Sequence, residues 1–225
     1  PAVPRLPDGR VTDLDNEVAI ATHESDFGAG FNQLDALWVT ADTDGLWLGV
    51  PGVMERDNNT IVALLDLDYG DSTGLTSSGL TDFDGELDLA ISNFNWSTDM
   101  TGLGFEAAVG VVGGNFAKYS RTVDYAGSRT FYPPFGLYDN LYWTNAAVNF
   151  DDGNLAIWGE PAPDAGAVGL TEGGLEMLIP WSSLYLKGLP AKGADIGVFI
   201  VLVNTTGDYI SNQTLPSFAP KNGVG

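Results

Sequence analysis

The chain has no cysteine, a single histidine (His23) and three methionines. Without cysteine there is no disulfide, no thiol nucleophile and no Cys-bearing zinc site. Any Ser–His or multi-His metal chemistry would rest on His23 alone. Basic residues are also scarce: nine Lys and Arg stand against thirty Asp and Glu, a formal net charge of −21. Such a surface repels polyanions, which argues against nucleic-acid binding and against adhesion to anionic membranes. No apolar run reaches the roughly 18 residues that span a bilayer, so no membrane insertion is expected. These absences point away from most enzymes, and the chain is expected to be non-catalytic.

What is present is core material and turns. Hydrophobic residues at 44% and aromatics at 11% argue against disorder despite the charge. The 29 Gly and 12 Pro exceed ordinary usage, which points to short strands joined by turns. Residues 1–16 are polar and Pro-punctuated and read as an extended N-terminal arm; 17–225 read as one domain. Strand-like segments follow at Val18–Thr22, Leu37–Asp42, Leu46–Val50, Thr60–Asp68, Leu87–Ser92, Phe105–Val112, Asn140–Phe150, Leu155–Gly159, Leu175–Ile179, Ile196–Asn204 and Asp208–Ser211. Leu37, Val39 and Ala41 alternate with Trp38, Thr40 and Asp42, the period of a strand with one buried face. Asp44-Gly45 is a hairpin signal, and Pro51-Gly52 is expected to end the returning strand. Thr60–Asp68 is nearly continuous in apolar residues and suits a central strand buried on both faces. Only Trp181–Lys187, after Pro180, suits a helical turn. The expected fold is therefore all-β: a single antiparallel β-sandwich or jelly roll with long loops, those at 70–85 and 160–174 included.

Acidic residues cluster where the central run stops. Asp66 and Asp68 share one side of an extended chain, and Gly70 permits the turn that brings Asp71 round. A second group, Asp82, Asp84 and Asp88, has the same two-residue spacing before a glycine. Converging carboxylates suit a hard cation with six to eight oxygen ligands, so calcium is expected at or near these clusters. Neither cluster has EF-hand spacing, and solvated loop carboxylates are the ordinary alternative. Bound divalent cations would also relieve the self-repulsion of so acidic a chain.

Six Trp and eight Tyr admit a sugar-stacking surface, with Trp38, Trp47, Tyr138 and Trp143 as candidates; a sandwich core or subunit contact is the competing use. Trp181 is assigned to the core. Asn58, Asn95, Asn204 and Asn212 lie in N-glycosylation sequons. The three methionines and His23 sit at unrelated places, so no haem is expected, nor any nucleotide.

Three stretches resemble the family 9 carbohydrate-binding-module-like sandwiches, a group related to the DOMON domains of exported bacterial or archaeal proteins. They are Leu34–Asp42 with Leu46–Val50, Ile61–Asp68 with Gly70 and Gly74, and Leu175-Glu176-Met177-Leu178-Ile179-Pro180-Trp181-Ser182-Ser183-Leu184. The likeness runs over roughly residues 34 to 216. It implies a two-sheet antiparallel sandwich, often with structural calcium, often exported, and not an enzyme by itself.

The opening Pro1-Ala2-Val3-Pro4 shows neither an initiator Met nor a charged-then-apolar leader, which predicts an exported, extracellular or cell-surface product freed of its signal peptide. Two functions stand ahead of a third, a hydrolase acting through a carboxylate pair. One is a structural subunit of a surface fibre, pilus-like filament or coat, its partners copies of itself, with the arm adding as a strand to a neighbour's sheet edge. The other is a carbohydrate-binding module whose partner is an extracellular glycan.

Overall fold

The structure is a computed structural model that describes residues 11, 14–27, 32–53, 59–69, 105, 107–114, 117–124, 146–148, 174–185, 189–204 and 210–217. Among the described residues, eleven strands and one helical turn run in the order β1 (Glu17–Ile20), β2 (Gln33–Leu34), β3 (Ala36–Ala41), β4 (Gly45–Val53), β5 (Asn59–Asp66), β6 (Ala107–Gly114), β7 (Ala117–Asp124), β8 (Ala146–Val148), β9 (Gly174–Pro180), α1 (Trp181–Leu184), β10 (Gly197–Asn204) and β11 (Ile210–Leu215). They form two sheets, in the orders β1-β3-β4-β9-β8 (with β2 also on β4) and β11-β10-β5-β6-β7. Every pairing is antiparallel. The fold is all-β, as composition and alternation predict.

One core lies between the sheets. The first sheet contributes Leu37, Leu46, Leu48, Val50, Leu175, Met177 and Ile179; the second contributes Ile61, Ala63, Leu65, Ile200, Leu202 and Leu215. These positions recur every second residue, because successive side chains of a strand point to opposite faces. The other face of the second sheet is dry as well: Val62, Leu64, Phe199, Val201 and Val203 are all buried, and the ring of Phe105 stacks on Phe199 with centroids 6.2 Å apart. Burial on both sides explains why β5 and β10 read as unbroken apolar runs rather than alternating ones.

At one end of the sandwich, the β3–β4 turn and α1 are joined through Asp42. Its Oδ1 accepts from the N–H groups of Asp44 (2.8 Å) and Gly45 (3.1 Å), closing the turn from the side chain. Its Oδ2 accepts from the Trp47 indole at 2.8 Å, and its backbone carbonyl accepts from the Trp181 indole at 2.8 Å. Trp181 thereby lids the core at 5% exposure, which is the physical content of the Ile-Pro-Trp-Ser stretch. Pro180 ends β9, and α1 turns away for a single helical turn, bonded from Tyr185 N–H to the Trp181 carbonyl at 2.8 Å.

Two expectations are corrected. Pro51-Gly52 does not end β4; the strand runs on to Val53 and exchanges its partner, from β3 to β2, with Leu34 opposite Gly52. A Cβ at Gly52 would collide with the Gln33 carbonyl, so the glycine there serves a close backbone approach rather than a turn. The N-terminal arm, expected to stay clear of the core, packs two of its four described residues inside: Val11 is 0% and Leu14 2% exposed, while Asp15 and Asn16 are exposed. The expected segments Leu87–Ser92 and Leu155–Gly159 and the loop 70–85 lie outside the described residues, as does the loop 160–174 except Gly174, which opens β9.

Candidate functional site

Four features of the surface and its margins bear on function. The first is the acidic end of β5. Asp66 stands opposite Gly197 at the strand terminus and is 0% exposed; Asp68 follows in the turn and is partly buried. Between them the Leu67 carbonyl accepts from the Tyr185 hydroxyl at 3.1 Å, fixing the turn against α1. Oδ1 of each aspartate is buried without a hydrogen bond, and both residues make further interactions. Asp71, Asp82, Asp84 and Asp88 lie outside the described residues. Among the described residues no group of three or more His, Asp or Glu side chains is placed to hold a metal ion.

The second is the outer face of the first sheet. Register sets Glu17 opposite Trp38, Trp38 opposite Gly49, and Gly49 opposite Glu176, one row across four strands. Trp47 lies in the next row, opposite Thr40 and Leu178. Both tryptophans thus share the face that alternation assigns them, as diagonal rather than direct neighbours. Trp47 is 1% exposed and its indole is engaged by Asp42, so it offers no ring face to a sugar; Trp38 is partly buried. Tyr138 and Trp143 lie outside the described residues. The missing side chain at Gly49 leaves a dimple that Val11 and Leu14 fill. A Cβ placed on Gly49 would lie 2.6 Å from Leu14 Cδ1 and 3.0 Å from Val11 Cβ. Beside the dimple, Glu176 is 0% exposed.

The third is the seam along β11, the edge strand of the second sheet. Gln213, 0% exposed, uses its side-chain amide as a strand would use its backbone. Its Oε1 accepts from Leu34 N–H at 2.6 Å, and its Nε2 donates to the carbonyls of Leu34 (2.7 Å) and His23 (3.0 Å). Asp26 and Asn212 exchange reciprocal bonds, each backbone N–H donating to the other's side-chain oxygen at 3.0 and 2.9 Å. His23 Nε2 lies 3.0 Å from the Asn212 carbonyl, which can only accept, so Nε2 carries the proton. Ser217 bridges the Ile20 carbonyl and Thr22 N–H, and Asn59 Nδ2 donates to Asn32 Oδ1. Residues 20–27 and 32–34 therefore cover this rim of the second sheet. His23, the one residue on which imidazole chemistry would rest, acts here as a strut. Asn212 is part of the same seam, and Asn204 ends β10 opposite Asn59; the sequons at Asn58 and Asn95 lie outside the described residues.

The fourth is β1, the edge of the first sheet. It has four residues, pairs with β3 through a bulge, and exposes Val18 and Ile20 by 56% and 61%. Near its far end, burial raises the Asp35 carboxyl above its ordinary 3.8, against a smaller opposing effect of the hydrogen bond from Gln33 Nε2 (3.0 Å).

Sequence reading did not find the dimple or the seam. An isolated glycine between Leu48 and Val50 was the available signal for the first, since a glycine inside a strand marks close approach. Nothing local marks Gln213, whose partners lie about 180 residues away. Compared with family models, curated proteins and solved structures, the chain matches none.

Proposed function

We propose that the chain is a non-catalytic structural protein of the cell exterior, a self-assembling subunit of a surface fibre, pilus-like filament or coat. The observation that carries this reading is the contrast between the two rims. Hydrogen bonds of Asn212 and Gln213 with His23, Asp26 and Leu34 tie down β11, whereas β1 presents an edge with Val18 and Ile20 exposed. Exposed edges with apolar side chains are what strand addition uses and what solitary soluble sandwiches blunt. Calcium belongs to the proposal: Asp66 and Asp68 bring carboxylates to the end of β5, and a formal charge of −21 disfavours packing copies together unless cations screen it. The likeness to family 9 carbohydrate-binding-module-like sandwiches supports a non-catalytic scaffold.

Electron microscopy of the purified chain with and without calcium tests the reading. Filaments or sheets are expected. Separate particles that bind an immobilised glycan would replace it with a carbohydrate-binding function, for which Trp38 is the one of the four candidate aromatics that is described and not fully buried.

A further inference from the structure

Charge is laid out unevenly over the two sheets. Residues 11–55 hold no Lys or Arg. Within and next to β1, Asp15, Glu17, Glu24 and Asp26 are all exposed, so carboxylates alone flank the rim that carries Val18 and Ile20. The Ser217 hydroxyl already donates to the Ile20 carbonyl, so this rim offers chiefly Glu17–Ala19 and the side chains around it. By contrast, every Lys and Arg that falls within a described strand falls in β7. Lys118 stands opposite Gly113 and Arg121 opposite Gly110, against the single acid Asp124 at the end of the strand. Among the described residues β7 is the last strand of the second sheet, as β1 is of the first. The molecule therefore carries two terminal strands of opposite sign. Charge on an edge strand keeps it from pairing indiscriminately. Two β7 edges would set Lys118 and Arg121 against their like, and two β1 edges would bring their carboxylates together. Only β1 against β7 brings unlike charges together, while the rest of an acidic surface repels.

We infer that, in the assembled protein, the β1 edge of one copy docks against the β7 edge of the next. This rests on the assembly reading above and names the two halves of the joint. The full-length variant Asp15→Lys/Glu17→Lys/Glu24→Lys, changed only at exposed positions, tests it by electron microscopy and light scattering. Alone, with both edges basic, it should form no filaments under conditions where the wild type does. A small proportion of it added to the wild type should shorten the filaments. Its β7 docks on a wild-type β1, while its own β1 accepts no further copy. Mixed in equal amounts with Lys118→Glu/Arg121→Glu, whose edges are both acidic, it should restore filaments that neither variant forms alone. Melting followed by circular dichroism establishes that each variant is folded. Filaments of ordinary length from the lysine variant alone, or wild-type filaments that it does not shorten, would overturn the inference and leave the assembly reading standing. So would a mixture of the two folded variants that stays unassembled. A wild-type chain that never assembles would remove both.

Discussion

Single side chains decide how the two sheets are tied. Gln213 takes the place of a missing backbone ladder between β11 and β2, with three hydrogen bonds inside a dry seam. Truncation in Gln213→Ala leaves the Leu34 N–H and C=O buried without these bonds, a loss on the order of 2 kcal/mol or more read from denaturant unfolding. Asp35 gives a pH dependence of known sign. Its folded-state pKa is raised by burial, so the folded chain binds that proton more tightly than the unfolded chain does. The group's contribution therefore weakens stability as pH rises from about 3.8 through the raised value. Asp35→Asn keeps an acceptor for Gln33 and removes the charge. Its melting temperature should exceed that of the wild type at neutral pH, with the gap closing towards about pH 3 where both carry an uncharged group. A gap independent of pH would contradict the assignment.

At the scale of elements, most strands were readable because burial writes itself into spacing. The alternation in Leu37–Asp42 became β3, the continuous run from Thr60 became β5 buried on both faces, and the single turn after Pro180 became α1. β7 was not anticipated: Ala117–Asp124 is half polar, and it is recognised as a strand only through its pairing with β6. Two residues of β2 are too few for any period. The end of β4 was misplaced because Pro-Gly is a turn signal in sequence, whereas here β2 approaches closely at Gly52. Of the candidate site, the acidic end of β5 was legible and the filling of the Gly49 dimple was not, since residues 11 and 14 lie in a stretch whose prolines and charges dominate its composition. Two predictions belong here. Gly49→Val evicts Leu14 from the dimple and should lower stability by about 1–3 kcal/mol, the ordinary range for overpacking. Val18→Lys/Ile20→Lys changes only exposed positions and should alter stability by no more than about 0.5 kcal/mol per site, while light scattering shows loss of association.

The molecule as a whole is governed by its charge. With thirty acidic and nine basic residues, the compact state repels itself, and so do neighbouring copies. Added sodium chloride should raise the melting temperature through screening, and calcium should raise it further at equal ionic strength if ions bind the folded state. A chelator should then reverse the calcium increment alone. A melting curve that responds identically to the two salts at matched ionic strength would argue that calcium has no site.

The rim at β1 has a stoichiometric consequence. If two such rims meet edge to edge about a two-fold axis, each saturates the other and the product is finite: a pair with nothing left to offer there. Unlimited growth demands a joint whose halves differ, an acidic rim on one body and a basic one on the next. A fibre joined in that way is built from solitary rather than paired repeats, and the axial spacing seen along it would count one molecule to each step.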